Sequence, residues 1–589
     1  MLKTHFAGKK FLIVLSFVLS IQFLISFQIA NAGNEKKIAL VMKALSNPFF
    51  SKMEEGAKLY AKQNNIPLEV FGVERETDVE RQIGIVENLI SRNYGAIVIA
   101  PTDSKKLVPI CKKALEKNIV VVNIDNPFHK ETMDQLNVSI PFVGPDNKAS
   151  AFLVGEYIKK KLAGKGNVII IEGIRGVENG ELRKQGFIEG VTQNSDVKII
   201  ASESANWHTD EALSLTVKLL KDNDSVDAIF CANDSMAIGA LQAVEMGDKI
   251  GKILIAGYDN IDAVRYEMQS NRIQTTIEQH PELMGQYGVE LAKNALKGKK
   301  MPDYVPVPVD LITYETFNKT IAISISDMQN PFFDSLYQGA LKSAKLFGMK
   351  LLLFDAKNMD SQQVTDILNA LKQNISAIII NPANSETIFP AIELANTKNI
   401  PVITVDRKST EGNILCHIAS DNIEGGRMAA KAIASYLKEQ GNIIELEGIP
   451  GTSAAHERGM GFNEVIKTYS KIKIVAREVA NFDRNEAKTI IMRLIKKGIK
   501  FDGVFAHNDN MILGAMEAIK ASSLNDNLIL IGFDAIEPAL EALNKGEITA
   551  TIAQKPELMG MIAVQNAAKY LRGEKIPLNI PVGLALIEK

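Results

Sequence analysis

The sequence predicts an α/β protein: a tandem duplication of one unit, each copy made of two Rossmann-like lobes with parallel sheets. Three observations carry this. Short Val/Ile-rich runs alternate with amphipathic stretches, and strict β-α alternation means parallel sheets covered by helices. The chain also repeats itself. Asn47-Pro-Phe-Phe returns 283 residues on as Asn330-Pro-Phe-Phe, and Gln279-His-Pro-Glu-Leu-Met-Gly returns 275 residues on as Gln554-Lys-Pro-Glu-Leu-Met-Gly. Finally, roughly ten strand-like runs per copy are more than one doubly wound sheet comfortably holds. A period this long is a whole protein duplicated, not a solenoid unit.

In chain order, residues 1–32 are a different material from the rest. Lys3, Lys9 and Lys10 precede the apolar run Phe11–Phe27, and Ala30-Asn31-Ala32 supplies small residues at cleavage positions, the three parts of a secretory signal peptide cleaved near Ala32. The remainder is expected to be exported and periplasmic. Residues 33–314 form the first unit, residues 315–319 a short joint without Gly/Ser or Pro-rich composition, and residues 320–589 the second unit. The 275-residue offset holds for Arg183 and Arg458, Asn233 and Asn508, and Asp259 and Asp534; the eight residues by which the offset shrinks fall mostly in Pro127–Pro145.

In the second unit, Ile321–Ile325 is the first strand, followed by the loop Ser326–Phe333 and a helix carrying Leu336, Ala340, Ala344 and Phe347. Further strands are expected at Lys350–Phe354, Ala377–Ile380, Val402–Val405, Asn442–Leu446, Lys473–Val479, Gly503–Ala506, Leu528–Ile531 and Thr549–Ala553. Helices are expected at Gln362–Lys372, Ile423–Lys438, Glu486–Lys497 and Met511–Ala521, each an amphipathic stretch.

Composition narrows the function. With 46% hydrophobic and 23% charged residues and a net charge of −2, nothing points to nucleic acid or an anionic membrane. Cys111, Cys231 and Cys416 are too few and too scattered for a disulfide framework and sit in apolar contexts. There is no phosphate loop of the Gly-x-x-x-x-Gly-Lys-Ser/Thr type, no Gly-x-Ser-x-Gly elbow and no His pair at metal spacing. His129, His208, His280, His417, His456 and His507 are scattered. The expectation is a non-enzyme without cofactor or metal.

Chemistry collects where open α/β sheets place ligands, at the carboxyl ends of strands. There stand Ser326, Asn330, Phe332, Phe333, Asp406, Arg407, Phe482, Asn508, Asp534 and Gln554, with Arg458 on the helix or turn beginning near Ser453. Such a set suits a small polyhydroxylated ligand. Each hydroxyl is donor and acceptor at once and pairs with an Asp on one side and an Arg or Asn on the other; the C–H faces of a sugar ring stack on aromatic side chains. Plainer readings compete. Asp509 and Asp234 precede helices and are expected to be N-caps, Asp406-Arg407 could be a surface ion pair, and Phe333 could be core only.

The second unit resembles, nearly end to end, the ribose-binding members of the type I periplasmic solute-binding family. The matching segments are Asn-Pro-Phe-Phe (330–333), Pro-Val-Ile-Thr-Val-Asp-Arg (401–407), His-Ile-Ala-Ser-Asp-Asn (417–422), Gly-Thr-Ser-Ala-Ala-His-Glu-Arg-Gly (451–459), Asn-Asp-Asn-Met (508–511) and Ala-Thr-Ile-Ala-Gln (550–554). The resemblance implies that Ser326, Asn330, Phe332, Phe333, Asp406, Arg407, Arg458, Phe482, Asn508, Asp534 and Gln554 hold a pentose. The first unit keeps Asn47, Phe49, Phe50, Asp125, Arg183, Asn233, Asp259 and Gln279. It has Lys43 for Ser326, Asn126 for Arg407 and Trp207 for Phe482. Val-Met-Lys-Ala-Leu-Ser-Asn-Pro-Phe-Phe (41–50), Ile-Ile-Glu-Gly (170–173) and Cys-Ala-Asn-Asp-Ser-Met-Ala (231–237) are similar to allose-binding members of the same family, which implies a hexose there.

The resemblance further implies two lobes per unit joined by a three-strand hinge, with Gln279 and Gln554 at one crossing and Ser420-Asp421 near another. It also implies partners: monosaccharide ligands, the membrane permease of an ABC transporter, or a chemoreceptor fed by the same binding protein. A sugar-responsive repressor shares such a core, but would begin with a DNA-binding helix-turn-helix where this chain has a signal-peptide pattern.

Overall fold

Among the described residues twenty-four strands assemble into four six-stranded sheets, two in each of two compact units, the first ending at Tyr314 and the second beginning at Glu315. The structure, a computed structural model, describes residues 36–45, 47–522 and 528–589; the signal-peptide reading of residues 1–32 lies outside them. Among the described residues no helix is long and apolar enough to cross a membrane.

In the second unit the first lobe orders its strands Lys350–Asp355, Thr320–Ile325, Ala377–Ile380, Val402–Val405, Cys416–Ser420 and Asn579–Val582, all parallel. The second lobe orders Lys471–Val479, Gln440–Glu447, Gly503–Ala506, Ile529–Asp534, Ala550–Ala553 and Ala585–Glu588, the last antiparallel. The first unit repeats the plan. Its lobes begin with Ile38–Ala44 and with Lys165–Glu172, each next to an edge strand, and its one antiparallel edge is Asp310–Thr313.

Fully buried runs such as Ala377–Ile380 and Gly503–Ala506 explain why these segments are strands: both faces lie under helices, so every position is apolar. Among the strands of the second unit, sequence reading missed Cys416–Ser420, where buried and half-buried positions alternate, and the late strands Asn579–Val582 and Ala585–Glu588, which match the late strands Tyr304–Pro306 and Asp310–Thr313 of the first unit. The late strands are three or four residues long and partly exposed, so neither length nor continuous hydrophobicity marks them. Among the described residues each unit therefore has twelve strands, with one antiparallel edge in each second lobe.

Those late strands complete the hinge. In the second unit the chain passes between lobes three times: from Ser420 into the helix Asn422–Tyr436, from Ala553 into the helix Pro556–Leu571, and from Val582 to Ala585. The matching passages in the first unit follow Gly144, Glu278 and Pro306. Gln279 and Gln554 lie on the middle passage.

The extra residues of the first unit have visible homes. The helix Lys130–Gln135 falls within Pro127–Pro145. Two more lie between Phe71 and Gln82, because Phe71 matches Phe354 at an offset of 283 whereas Gln82 matches Gln363 at 281. Those two glutamines play one role: each amide donates to the carbonyl at the end of the neighbouring strand, of Ala100 and of Asn381.

The helix behind the first loop is drawn in by glycine. The helices Pro331–Leu346 and Pro556–Leu571 approach so closely that a Cβ on Gly560 would lie 1.9 Å from the Leu336 carbonyl oxygen. Phe332 and Phe333, at the start of the first of these helices, are thereby held at the mouth of the cleft.

Candidate functional site

In the second unit, the carboxyl ends of strands from both lobes converge on one narrow cleft with about 10 Å³ of free volume. Asn330, Phe332, Phe333, Asp406, Arg407, Ala454, Arg458, Phe482, Asn508 and Asp534 surround it. Asn330 caps its helix by accepting from the Phe332 N–H, which turns the two phenylalanines edge to face at 5.2 Å. Asp406-Arg407 is buried, not a surface pair; the guanidinium donates to the carbonyls of Pro382 and Ala383 and lies over the rings of Phe333 and Phe482 at 5.3 and 5.4 Å. Phe333 thus lines the site while also packing in the core.

Arg458 is held on three sides. It donates to Asn422 Oδ1 at 2.9 Å and to the His507 carbonyl at 2.6 Å, and stacks over Phe533 at 3.9 Å. Its Nη1 stands 3.5 Å from Asp534 Oδ1, and the Gln554 amide donates to that same oxygen at 2.8 Å. Burial pushes the Asp534 carboxyl up to about 7, against the pull of Arg458. Asn508, not Asp509, is the N-cap of its helix, accepting from the Met511 N–H. Asp509 is buried one residue further in, where it accepts from Thr551 Oγ1 and the Ile536 N–H. Asn233 and Asp234 divide the same work in the first unit. The N-cap expectation therefore moves by one residue: the side chain that can reach the free N–H of the first turn belongs to the preceding amide.

Ser326 and Gln554 stand behind the lining. Ser326 is buried with its Oγ unpartnered, and Gln554 keeps a free Oε1 while its amide orients Asp534.

The first unit has a matching narrow cleft, with about 20 Å³ of free volume, between Lys43, Asn47, Phe49, Phe50, Glu76, Asp125, Asn179, Arg183, Trp207, Asn233 and Asp259. Lys43 is fully buried; its ammonium sits 3.1 Å from Asp125 Oδ2 and 3.7 Å from Glu76 Oε2. Arg183 repeats Arg458, donating to Asn147 Oδ1 and the Ala232 carbonyl and stacking on Tyr258 at 3.9 Å. Gln279 accepts from Arg183 and donates to Asp259. Burial raises the carboxyls of Glu76 and Asp259, the latter well above the usual range. Asn126 does not line the space: its amide donates to the Pro101 carbonyl, and its Oδ1 accepts from Ser104 Oγ and the Asn179 N–H.

Sequence reading missed three lining residues. Glu76 comes from the stretch where the first unit is two residues longer, so no repeat partner points to it. Asn179 and Ala454 occupy one position, 275 residues apart, whose side chain differs too much to stand out.

Two features recur at both spaces. Asp125, Trp207 and Asp259, and their counterparts Asp406, Phe482 and Asp534, all hold positive φ, between 59° and 125°, although none is glycine. Such strain costs on the order of 1–3 kcal/mol each and gathers where function demands it. Buried polar atoms without hydrogen-bond partners also gather here: Asn179 Oδ1 and Trp207 Nε1 in the first unit, Ser326 Oγ, Arg407 Nε and Gln554 Oε1 in the second. The lobes also clasp each other across each cleft. The Glu178 N–H donates to Ser104 Oγ, and the Ser453 N–H to Ser385 Oγ.

Each unit thus has two α/β lobes, three connecting passages and a polar cleft with aromatic walls between the lobes. The chain belongs to the periplasmic binding protein domain family, whose pattern it matches twice, over residues 38–300 and 321–575. Ribose import binding protein RbsB of Haemophilus influenzae is 42% identical over 270 residues, 46% of this chain and 91% of that protein. The D-ribose/D-allose-binding protein of Pseudomonas aeruginosa is 39% identical over 291 residues, 48% of this chain and 91% of that one. The D-allose-binding periplasmic protein of Escherichia coli is 35% identical over 267 residues, 45% and 86%. Each relative spans about half of this chain, consistent with a tandem duplication.

Proposed function

We propose that the chain is an exported sugar-capture protein whose two clefts each close on one monosaccharide, a ribose-like pentose in the second unit and a hexose such as allose in the first, for delivery to an ABC-type permease. The observation that carries this is the set of unpartnered buried donors and acceptors around each enclosed space, beside apolar ring faces. A buried polar atom left unmade costs about 1–3 kcal/mol, and a polyhydroxylated ring supplies both senses of hydrogen bond at once.

The difference between the sites supports different sugars. Where the second unit has Ser326, Arg407, Phe482 and Ala454, the first has Lys43, Asn126, Trp207 and Asn179, and it adds Glu76. Lys43 and Glu76 present opposite charges side by side, able to bracket one further hydroxyl. Arg407 presents a guanidinium to its cleft, whereas Asn126 withdraws from the lining and Lys43 supplies the cation instead. In this reading closure is driven by ligand contacts that only the closed form completes.

Calorimetry on the full chain tests it. Ribose is expected to bind with one site per chain, with its heat lost in an Arg458→Ala variant and kept in Arg183→Ala; allose is expected to show the reverse. Identical ligand ranking at both sites would sink the assignment.

A further inference from the structure

A titratable pair lies beneath the second cleft without lining it. Glu445, within the strand Gln440–Glu447, and His507, just past the neighbouring strand Gly503–Ala506, are both fully buried. The imidazole has two polar contacts: Nε2 stands 3.2 Å from Glu445 Oε1, and the Gly448 N–H donates to Nδ1 at 3.4 Å. A backbone N–H can only donate, so Nδ1 is the acceptor and the ring proton sits on Nε2, from which it is given to the carboxylate. The charge balance agrees. Glu445 Oε2 accepts from Arg477 Nε at 2.8 Å, and the Asn463 amide donates to both carboxylate oxygens at 2.9 and 3.1 Å, so the charge is met without an imidazolium. Burial pushes the Glu445 carboxyl up, but its hydrogen bonds with His507 and Arg477 outweigh burial and hold it below its ordinary value.

The pair reaches the cleft through the backbone. The His507 carbonyl accepts from Arg458 at 2.6 Å, and the amide of the next residue, Asn508, donates to the Phe482 carbonyl at 3.3 Å. Gly448, the donor to the ring, is the bare backbone on which Phe482 rests, since a Cβ there would lie 2.1 Å from the phenyl ring. The imidazole therefore ties the footing of the aromatic wall to the anchor of the arginine. The first unit has no such link. At the 275-residue offset Ile170, Ala232, Ser202 and Ile188 stand for Glu445, His507, Arg477 and Asn463. Lys184 stands for Gly459, where a Cβ would lie 3.1 Å from the His507 ring. Five positions around one side chain thus differ together between the units.

We propose that His507, held by Glu445 as the Nε2–H tautomer, is a positioning residue for the second cleft: it sets where Phe482 stands relative to Arg458 and so, on the pentose reading of this cleft, its affinity for ribose. Arg458 keeps its carbonyl acceptor whatever side chain residue 507 carries, because that acceptor is backbone. What the ring adds is the hold on Gly448. The first cleft, with Ala232 at that place and the larger Trp207 for a wall, does without it.

The test pairs nitrogen NMR of the histidine rings with ribose calorimetry, both on the full chain. Without sugar, one ring is expected to carry its proton on Nε2 with Nδ1 bare, and that signal should vanish in His507→Gln, which assigns it. His507→Ala is expected to weaken ribose binding roughly tenfold, the worth of one buried hydrogen bond. His507→Gln should restore most of the loss, because an amide can donate to Glu445 and accept from Gly448 at once. Allose binding should be unmoved in both. Were His507→Ala to unfold, His507→Met, which keeps bulk but neither hydrogen bond, takes its place. A proton on Nδ1 of that ring, unchanged ribose affinity without the imidazole, or an equal loss in the glutamine variant overturns the proposal. If the parent chain takes up no ribose, the pentose reading falls, and the tautomer signal still decides for or against His507.

Discussion

At the scale of single residues, two buried arginines explain most of each cleft. Arg458 has its donors committed to Asn422 and His507 and its face to Phe533, so it enters the site already oriented and loses little freedom on binding. Replacing it with alanine is expected to cost about 2–5 kcal/mol of pentose affinity, as truncating a buried charged partner does, read by calorimetry; an unchanged dissociation constant would refute its role. Histidines give the two units opposite pH responses. At His280, burial alone would lower the pKa, but hydrogen bonds to Asp310 and Glu282 push it up to about 10. A raised folded value stabilises fully below the unfolded value of about 6.5, and that contribution drains away as pH climbs to about 10. His417 is lowered to about 4 by burial and by Lys408, so its contribution is present above about 6.5 and lost as pH falls toward 4. Thermal melts across pH should therefore show a first-unit loss in alkali that His280→Lys flattens, lysine being the residue of the second unit at that place, Lys555. A slope unchanged by that substitution would remove His280 from the account.

At the scale of elements, close glycine contacts aim the site. A Cβ on Gly448 would lie 2.1 Å from the Phe482 ring, and one on Gly173 would lie 2.1 Å from Trp207. The aromatic wall of each cleft thus rests on a bare backbone, and Gly448→Ala is expected to weaken pentose binding with little loss of stability, seen by comparing calorimetry with a melt. Gly560 serves the helix pair instead. Alanine there gains about 1 kcal/mol of helix propensity, but overpacking against the Leu336 carbonyl should cost about 1–3 kcal/mol, a net destabilisation measurable by urea unfolding. The elements also explain what sequence reading could and could not reach. Strands such as Val402–Val405 were legible because burial on both faces makes them uniformly apolar. The late hinge strands were not, because they are short and partly exposed and owe their pairing to neighbours far away in sequence. Asp509 was misassigned for a related reason. Propensity marks an Asp before a helix, and only the tertiary contacts with Thr551 and Ile536 show that it serves the interior.

At the scale of the whole molecule, each unit has its own sheets and apolar cores. Calorimetric melting of the full chain should resolve two transitions, and a sugar specific to one cleft should raise only one of them, by about 2.7 kcal/mol of added stability at a hundredfold excess over its dissociation constant. A single transition shifted by either sugar would count against independent sites. The sequence by itself determined the duplication, the α/β class and most of the polar and aromatic inventory at the strand ends, because burial and strand-end position leave local, repeated marks. Tertiary structure alone decided which of those residues face the cleft. It withdrew Asn126 into a hydrogen-bond network, set Gln279 and Gln554 behind an aspartate each, and brought in Glu76 from a loop two residues longer than its counterpart. The physical reason is that a side chain reaches a ligand through the backbone twist at its strand end and the partners waiting around it, and those partners come from segments tens to hundreds of residues away.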